Sequence, residues 1–340
     1  MTNSPNGNGS LKDDARYKEL EDQLISEGCF SPARWWYAMR VGLIVSVGSG
    51  AFAALLLAPS WPLRLALIVA LAIACVQAAF VAHDVGDGAL TSNKRTSSAL
   101  RQLLLTFFCG TSSTYFHHLH RLHHLSLDRR PQAGGSGRFL TNKYELHWLK
   151  SILAVSGPLF MVGTILLRGF TFRAESVRFV LANPNTTKTD KIVLITHYLV
   201  WLMVPAIVLG WGTALLNLAL VTLIAGAYIG TVLVLNHEGM SRVDEVAGLA
   251  AFDRVLATTR NLPGSQVADV ALGGINNHIE HHLFPELPDP RLPKARKIVR
   301  KYCQREGLPY QETSFTEALG SALKHFRVSP RARLTAEALS

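Results

Sequence analysis

Four long apolar segments dominate the pattern of hydrophobic and polar positions along the 340-residue chain. Each has close to the roughly 20 apolar residues that a helix needs to cross the hydrocarbon core of a membrane. Short turns join the segments in pairs, around residues 59–62 and at residues 211–212. The pattern therefore predicts two antiparallel helical hairpins, with four crossings in all. The predicted spans are residues 41–58, 65–82, 192–209 and 214–235.

Two weaker apolar segments, residues 103–109 and 152–167, lie between the predicted hairpins. The first is too short to span a membrane. The second is marginal, because it contains Pro158 and is followed by Arg168. We expect both segments to form helices that lie in the membrane interface or pack on the bundle. The alternative is that residues 152–167 form a further span.

Outside the apolar segments the chain is polar, and it divides into three parts. Residues 1–30 are a polar tail, with a short helix expected over residues 11–28. Residues 31–285 contain all four spans and are expected to form one membrane domain. Residues 286–340 are expected to form helices outside the membrane and a basic C-terminal tail. The N-terminus has no apolar core of a secretion signal. The four cysteines are expected to be free thiols, because none forms a C-x-x-C pair.

Composition and charge agree with an all-α integral membrane protein. Charged residues make up 17% of the chain, whereas soluble domains carry about 25%. The net charge is +10, but the basic residues flank apolar spans and form no single basic stripe, which argues against nucleic-acid binding. With two hairpins, residues 83–190 and 236–340 lie on the same side of the membrane as the N-terminus. Their excess of Lys and Arg predicts that this side is the cytoplasm.

The 13 histidines include three clusters and one isolated residue at the end of the fourth span. His83 and Asp87 are one helical turn apart and face the same way. The other two clusters share the spacing H-x-x-H-H, and the isolated residue is His237. The two-hairpin topology places all of them on one side of the membrane. The H-x-x-H-H clusters are His120, His123 and His124, and His278, His281 and His282.

These side chains have the chemistry of a redox metal site. Imidazole is a ligand for iron, copper and zinc, and a metal that activates dioxygen needs nitrogen or oxygen ligands and open positions. The two H-x-x-H-H clusters supply six ligands, His83 and His237 two more, and Asp87 a possible ninth. Nine ligands are too many for one metal and suit two. The zinc-protease motif H-E-x-x-H is absent. His147, His197 and His325 are expected to be non-ligands.

From about residue 80 to residue 310 the sequence resembles the membrane fatty acid desaturase and hydroxylase family. The resemblance rests on the histidine clusters, on residues 258–261 (TTRN) and on residues 273–285 (GGINNHIEHHLFP). It implies a four-helix membrane stem with a helical cytoplasmic cap that holds a non-haem di-iron centre. The ligands implied by the resemblance are His83, His120, His123, His124, His237, His278, His281 and His282.

The resemblance also implies a reaction and its partners. The family uses dioxygen and two electrons to attack an unactivated C–H bond, and the product is an alkene or, by hydroxylation, an alcohol. The substrate is expected to be an acyl-lipid, acyl-CoA or acyl carrier. No haem-binding motif of a fused cytochrome b5 is seen, so electrons are expected from a separate ferredoxin, or from cytochrome b5 with its reductase. The basic residues 294–301 could dock that donor or contact anionic lipid.

One residue departs from the family pattern, since Asp87 stands where members usually have a second histidine, in H-D-x-x-H. Asp87 could ligate iron, His117 could replace the missing imidazole, or one iron site could be weakened in a divergent or inactive member. A carboxylate ligand would favour higher iron oxidation states, which makes hydroxylation the alternative to desaturation.

Other readings of the same residues stay open. We expect no catalytic residue beyond the metal ligands. Five side chains are expected to orient the imidazoles. A silent lipid-binding or scaffold protein is the second functional alternative, and a zinc hydrolase using Glu280 is a third. The expected orienting residues are Asp84, His117, Asn236, Glu238 and Glu280.

Overall fold

A computed structural model describes residues 10–128, 157–184, 186–241, 246 and 248–327. The described residues are almost entirely helical, and within them β structure is confined to one isolated bridge between Asn261 and Glu312. Four of the helices are long and apolar enough to cross a membrane, as the hydrophobic pattern predicts. They are α2 (Arg34–Leu57), α3 (Trp61–Asp87), α7 (Lys188–Leu209) and α8 (Trp211–His237).

The four spans form two hairpins whose tight turns lie at one end of the bundle. Residues 58–60 join α2 to α3, and Gly210 alone joins α7 to α8, where its positive φ of 82° suits glycine. Helix α7 passes through a π-helical turn at Leu199–Met203 just before Pro205. Because proline has no N–H to donate, the regular helical ladder is interrupted there. The ends of α3 and α8 that carry candidate ligands lie at the opposite end from these turns.

The first weak apolar segment lies in a connection that packs on the stem. Helix α4 (Lys94–Arg101) continues as a π-helix over Gln102–Phe108, and α5 (Ser113–Asp128) follows. The π-helical turn packs against α3, where Leu104, Leu105 and Phe108 join the core of the stem. The expectation that residues 103–109 form a helix packed on the bundle agrees with this arrangement.

The second weak segment belongs to a longer helix, α6 (Gly157–Ala182). Residues 152–156 of the predicted segment lie outside the described residues, and Pro158 stands at the start of the helix. Helix α6 packs along α8 in the opposite direction at a very close contact between Gly169 and Gly226, where an added Cβ on Gly226 would come within 2.3 Å of the Gly169 nitrogen. Small residues allow such close contact between helices in membranes. The segment therefore packs on the stem, and it is not among the four apolar candidate spans.

Several of the helices outside the stem, which we call the cap helices, share a core of their own. The N-terminal helix α1 (Ala15–Ser26), which the sequence predicts, is part of this core. Tyr17 stacks on Phe284 with ring centroids 4.7 Å apart, and Arg16 pairs with Asp253 at 2.8 Å. Helix α1 therefore packs against residues from the C-terminal third of the chain. The later cap helices are α9 (Ala251–Thr258), α10 (Gln266–Ala271), α11 (His278–Leu283), α12 (Leu292–Arg305) and α13 (Phe315–Arg327).

Candidate metal centre

Four helix segments bring the predicted ligands to the junction of stem and cap. His83 and Asp87 lie on the last two turns of α3, which ends at Gly88 in the left-handed region with φ 88°. His237 is the last residue of α8. The H-x-x-H-H clusters lie on α5 and α11, where residues three and four apart share a face. The structure thus gathers all nine predicted ligand side chains in one region.

The first group of side chains contains four imidazoles, from His123, His237, His278 and His282. One ring nitrogen of each lies within 4.8 Å of the others. Nε2 of His278 lies 2.7 Å from Nε2 of His237 and 3.1 Å from Nε2 of His282. Nε2 of His123 lies 3.3 Å from Nε2 of His282. Four ring nitrogens therefore point at one small volume.

The second group contains three imidazoles and a carboxylate, from His83, Asp87, His120 and His281. Asp87 Oδ1 lies 2.7 Å from His120 Nε2. Asp87 Oδ2 lies 3.7 Å from His83 Nδ1 and 4.0 Å from His281 Nε2. The carboxylate thus faces all three rings. It is therefore placed to bind a metal ion that these three rings would also bind.

His124 lies between the two groups. Its ring centroid is 4.4 Å from that of His120 in the second group and 4.7 Å from that of His282 in the first. Nε2 of His124 and Oδ2 of Asp87 are buried and have no hydrogen-bond partner among the described residues. Buried polar atoms are normally paired, and a bound cation would satisfy both atoms, given the His124 tautomer in which Nε2 carries no proton.

The two groups fit metal ions. Ligand nitrogens held about 2.0–2.1 Å from a metal are themselves roughly 3–3.5 Å apart, and the Nε2 separations in the first group are close to this. Nitrogen and carboxylate donors without thiolates suit iron. Burial, followed by the charges of neighbouring rings, lowers the pKa of five of the imidazoles well below the ordinary value, and the neutral ring is the form that binds a metal. These five are His120, His124, His278, His281 and His282.

A buried chain of hydrogen bonds supports His83. Its Nδ1 lies 3.3 Å from Asp84 Oδ1. The Tyr37 hydroxyl donates to Asp84 Oδ2 at 2.9 Å and accepts from the backbone N–H of Asp289 at 3.1 Å. Arg40 pairs with the Asp289 carboxylate at 3.0 Å. Asp84 therefore contacts a candidate ligand, its role in orienting that ring stays a prediction, and Tyr37, Arg40 and Asp289 are partners that the sequence does not reveal.

Glu280 lies inside the third cluster but faces away from the imidazoles. Its carboxylate accepts from Asn261 Nδ2 at 2.8 Å and from the Tyr310 hydroxyl at 2.7 Å. Asn261 Oδ1 also accepts from the backbone N–H of Ile279 at 2.9 Å. Burial raises the pKa of Glu280, and the bonds from Tyr310 and Asn261 oppose that shift. Glu280 thus fixes the position of α11 and so acts on the ligands indirectly.

The end of α8 is fixed in a similar way by Arg260. Its Nε donates to the Leu235 carbonyl at 2.8 Å, and its Nη2 donates to the Glu238 carbonyl. Cationic groups at helix C-termini satisfy the last carbonyls and the helix dipole. The His237 ring itself hydrogen-bonds to the Thr258 backbone. The TTRN segment therefore holds the last residue of α8 in place.

The other polar residues that the sequence predicts to orient the imidazoles lie outside the two groups. His117 is close to Arg101 and Gly86. The side chain of Asn236 is buried and has no hydrogen-bond partner among the described residues. The Glu238 carboxylate faces His325, with Oε2 3.2 Å from Nε2. Three further histidines complete the account. The His118 ring lies 5.4 Å from the Phe179 ring between centroids, His197 is buried in the stem, and His147 lies outside the described residues.

An apolar cavity of about 110 Å³ opens onto both groups of candidate ligands. It runs down between α3, α6 and α8, so its walls belong largely to the membrane stem. Six of the candidate ligand imidazoles line the cavity at its ligand end. The apolar residues of its walls include Val76, Ala79, Phe80, Ile229 and Leu233.

Curated proteins with similar sequences are desaturases of lipids. The chain is 24% identical to an acyl-lipid (9-3)-desaturase of Physcomitrium patens, over 92% of this chain and 62% of that protein. It is 25% identical to a Delta 8-(E)-sphingolipid desaturase of Candida albicans, over 89% and 56%. It is 23% identical to a Delta(8)-fatty-acid desaturase of Euglena gracilis, over 93% and 78%. The chain thus spans about three fifths of the length of the first two relatives.

The model of one protein family covers most of the chain. The family is described as fatty acid desaturase, and the match extends over residues 59–314. That range begins just before α3 and ends after Tyr310, so it includes both candidate ligand groups, the cavity and the hydrogen bonds of Glu280 and Arg260, whereas Tyr37 and Arg40 precede it. The chain belongs to the fatty acid desaturase family.

Proposed function

We propose that this protein holds two iron ions and uses dioxygen to oxidise an unactivated C–H bond of a fatty acyl chain, with desaturation as the main reaction. The observation that carries the proposal is the cavity, because its apolar walls lead directly to both groups of candidate ligands. A site for a soluble polar substrate would not need a long apolar approach. The family and the lipid substrates named for the relatives point the same way.

Each iron has its own set of ligands in this proposal. His123, His237, His278 and His282 would hold one ion, and His83, Asp87, His120 and His281 the other, with His124 between them. Bound iron supplies the dioxygen chemistry. The balanced reaction converts –CH2–CH2–, O2, two electrons and two protons into –CH=CH– and two molecules of water.

The protein's own residues hold and orient the candidate metal ligands and keep water out of the site. Asp84 accepts a hydrogen bond from the Tyr37 hydroxyl and faces His83, which fixes the direction of that ring. Glu280 and Arg260 fix the helix ends that carry the other imidazoles. The walls of the cavity exclude water from the reacting chain. Ligand-orienting partners of this kind affect metal affinity and activity by about 10- to 100-fold.

Electrons come from an external donor, a ferredoxin or cytochrome b5 with its reductase, on the cytoplasmic face. The basic residues of α12 are less available for docking such a donor than their number suggests. Arg296 and Arg300 both pair with Glu312, and Lys294 pairs with Glu27. Lys297 and Lys301 are the better candidates for contact with an acidic partner, and anionic lipid remains the competing ligand for this surface.

The direct test is to measure iron and lipid products together. The full chain is purified from a host membrane and its iron content is determined, while acyl chains of the same host are analysed by mass spectrometry with and without the gene. The expected result is two irons per chain and a new double bond. A hydroxyl group in place of the double bond would favour the Asp87-dependent alternative. Absence of iron and of any new product would contradict an enzyme and favour a lipid-binding or scaffold role.

A further inference from the structure

Helix α10 contacts the membrane stem through its last two carbonyl groups. The Val270 carbonyl accepts from Arg40 Nη2 of α2 at 3.3 Å. The Ala271 carbonyl accepts from Gln77 Nε2 of α3 at 3.3 Å and from the Tyr228 hydroxyl of α8. Carbonyls at a helix C-terminus have no partner within the helix, and here side chains of the stem supply the donors. Three of the four spans therefore hold the C-terminal end of α10.

The level of these contacts places α10 beside the apolar part of the stem. Arg40, Gln77 and Tyr228 lie 17, 16 and 17 residues from the ends of their helices at the tight turns. At the rise of an α-helix, all three lie about 25 Å from that end of the bundle, whereas the hydrocarbon core of a bilayer is about 30 Å thick. His83 lies 22 residues from the same end of α3, or about 33 Å. Helix α10 is therefore attached nearer to the bilayer than the candidate ligand His83.

The outward face of α10 is apolar. Val267 and Val270 are 79% and 55% exposed. Asp269 is the one charged residue between positions 263 and 272, and its carboxylate is used within the protein, where it accepts from Asn276 Nδ2 at 2.7 Å. The two valines are therefore exposed without a charged side chain of their own segment beside them. Such a face favours contact with an apolar surface over contact with water.

The exposed surface of α2 is also apolar at this level. Met39 and Leu43 flank Arg40 in the sequence, and both are exposed, as expected for side chains of a span that face lipid. Trp35 is exposed at the start of the same helix, and tryptophan is typical of the boundary between membrane and water. Because Arg40 bonds to the Val270 carbonyl, the face of α10 lies next to this end of α2. The two valines therefore continue a surface that already faces the membrane.

We propose that the face of α10 formed by Val267 and Val270 inserts into the adjacent leaflet and contacts the acyl chains of bilayer lipids. The level of the contacts and the continuity with α2 support lipid as the occupant, in preference to a soluble protein. Leu272 and Ile275, which follow α10, pack in one cluster with Phe80 of the cavity wall. The inserted helix would thus bring bilayer lipid close to the cavity that opens onto the candidate metal ligands. The inference goes beyond the proposed function, since lipid contact requires neither iron nor turnover.

The test measures what surrounds each side chain of this face. Nitroxide labels are attached to Val267→Cys and Val270→Cys in the full chain in phosphatidylcholine nanodiscs, and their relaxation by oxygen and by a water-soluble nickel chelate is measured by EPR. Leu43→Cys on α2 is the lipid reference, and Gln304→Cys, at an exposed position of α12, is the matched water control. Wild-type protein treated with the same label corrects for the four native cysteines. We expect the oxygen-to-nickel ratio at both valine positions to approach that of the lipid reference and to exceed that of the water control several-fold.

Two results would overturn the proposal. A ratio equal to that of Gln304→Cys would place the face in water. Poor access to both oxygen and the nickel chelate would show that protein covers the valines, either a second copy of the chain or another partner. The water control carries the same label, so a label that entered the bilayer by itself would be detected there, and if one valine variant does not fold, the other decides. The measurement can be made on metal-free protein, so its outcome is independent of the iron and product analysis.

Discussion

The two groups of candidate ligands differ in one side chain. The first has four imidazoles, and the second has three imidazoles and the carboxylate of Asp87. In the first, neighbouring ring nitrogens lie 2.7–3.3 Å apart. Their lone pairs repel each other unless a shared proton or a shared cation lies between them. In the second, the carboxylate already supplies negative charge to the rings around it. The first group would therefore depend more on a bound metal for cohesion, and the contacts of Asp87 hold the second partly together without one.

The largest expected effect comes from removing a central imidazole of the first group. His278→Ala takes away the ring that faces both His237 and His282, and we expect iron to fall to about one per chain or less and product formation to be lost. Iron content per chain and acyl products are the measurements. His117→Ala is the matched comparison, because His117 lies in neither group and should leave both values unchanged. Loss of iron in His117→Ala would instead support His117 as the replacement ligand.

Substitution of Asp87 tests the second group. Asp87→Ala removes the only carboxylate and should reduce iron to about one per chain. Asp87→His restores the usual family pattern and should retain two irons while reducing any hydroxylated fraction of the product, since the carboxylate favours the more oxidised iron. Iron content and the alkene-to-alcohol ratio are measured in both. Full iron loading with an unchanged ratio in both variants would exclude Asp87 as a ligand.

The smallest effect is expected at Tyr37, whose hydroxyl holds Asp84 against His83. Tyr37→Phe removes the hydroxyl that bridges Asp84 and Asp289 and should lower the affinity of the second group for iron by about 10-fold. Chelator titration of the loaded protein gives this affinity. The control is Tyr302→Phe, whose hydroxyl contacts Glu19 at the surface of the cap. If both variants release iron at the same chelator concentration, the chain from Tyr37 to His83 has no role in metal binding.

The stem was predictable because length and hydropathy define a membrane span almost alone. The four predicted spans correspond to α2, α3, α7 and α8, which extend a few residues beyond most apolar runs. The spacing of the histidines also predicted which side chains would come together, since residues three and four apart share a helix face. Their roles as iron ligands stay a prediction. The position of helix α6 was harder to predict, because its apolar residues are mixed with Arg168, Arg173 and Glu175.

The supporting contacts could not be predicted from the sequence. Tyr37 and Asp289 are 252 residues apart and carry no local pattern that links them. The pairing of Arg173 with His197 depends on how α6 crosses α8 at Gly169. The periodicity of hydrophobic residues predicts helices but not the point at which two helices cross. His197 was expected to be a non-ligand and lies in neither group, but nothing in the sequence predicted that its side chain is buried. Long-range packing decides each of these cases, and a single sequence contains it only implicitly.

The cavity shares its walls with the membrane helices, and this has a consequence for how a lipid reaches the metals. Transfer of a methylene group from hydrocarbon into water costs about 0.8 kcal/mol. Val76 and Ile229 line the cavity and belong to spans, so an acyl chain that entered between these helices would stay in apolar surroundings throughout. On that route lateral diffusion within the leaflet, and not solubility in water, would set the supply of acyl chains.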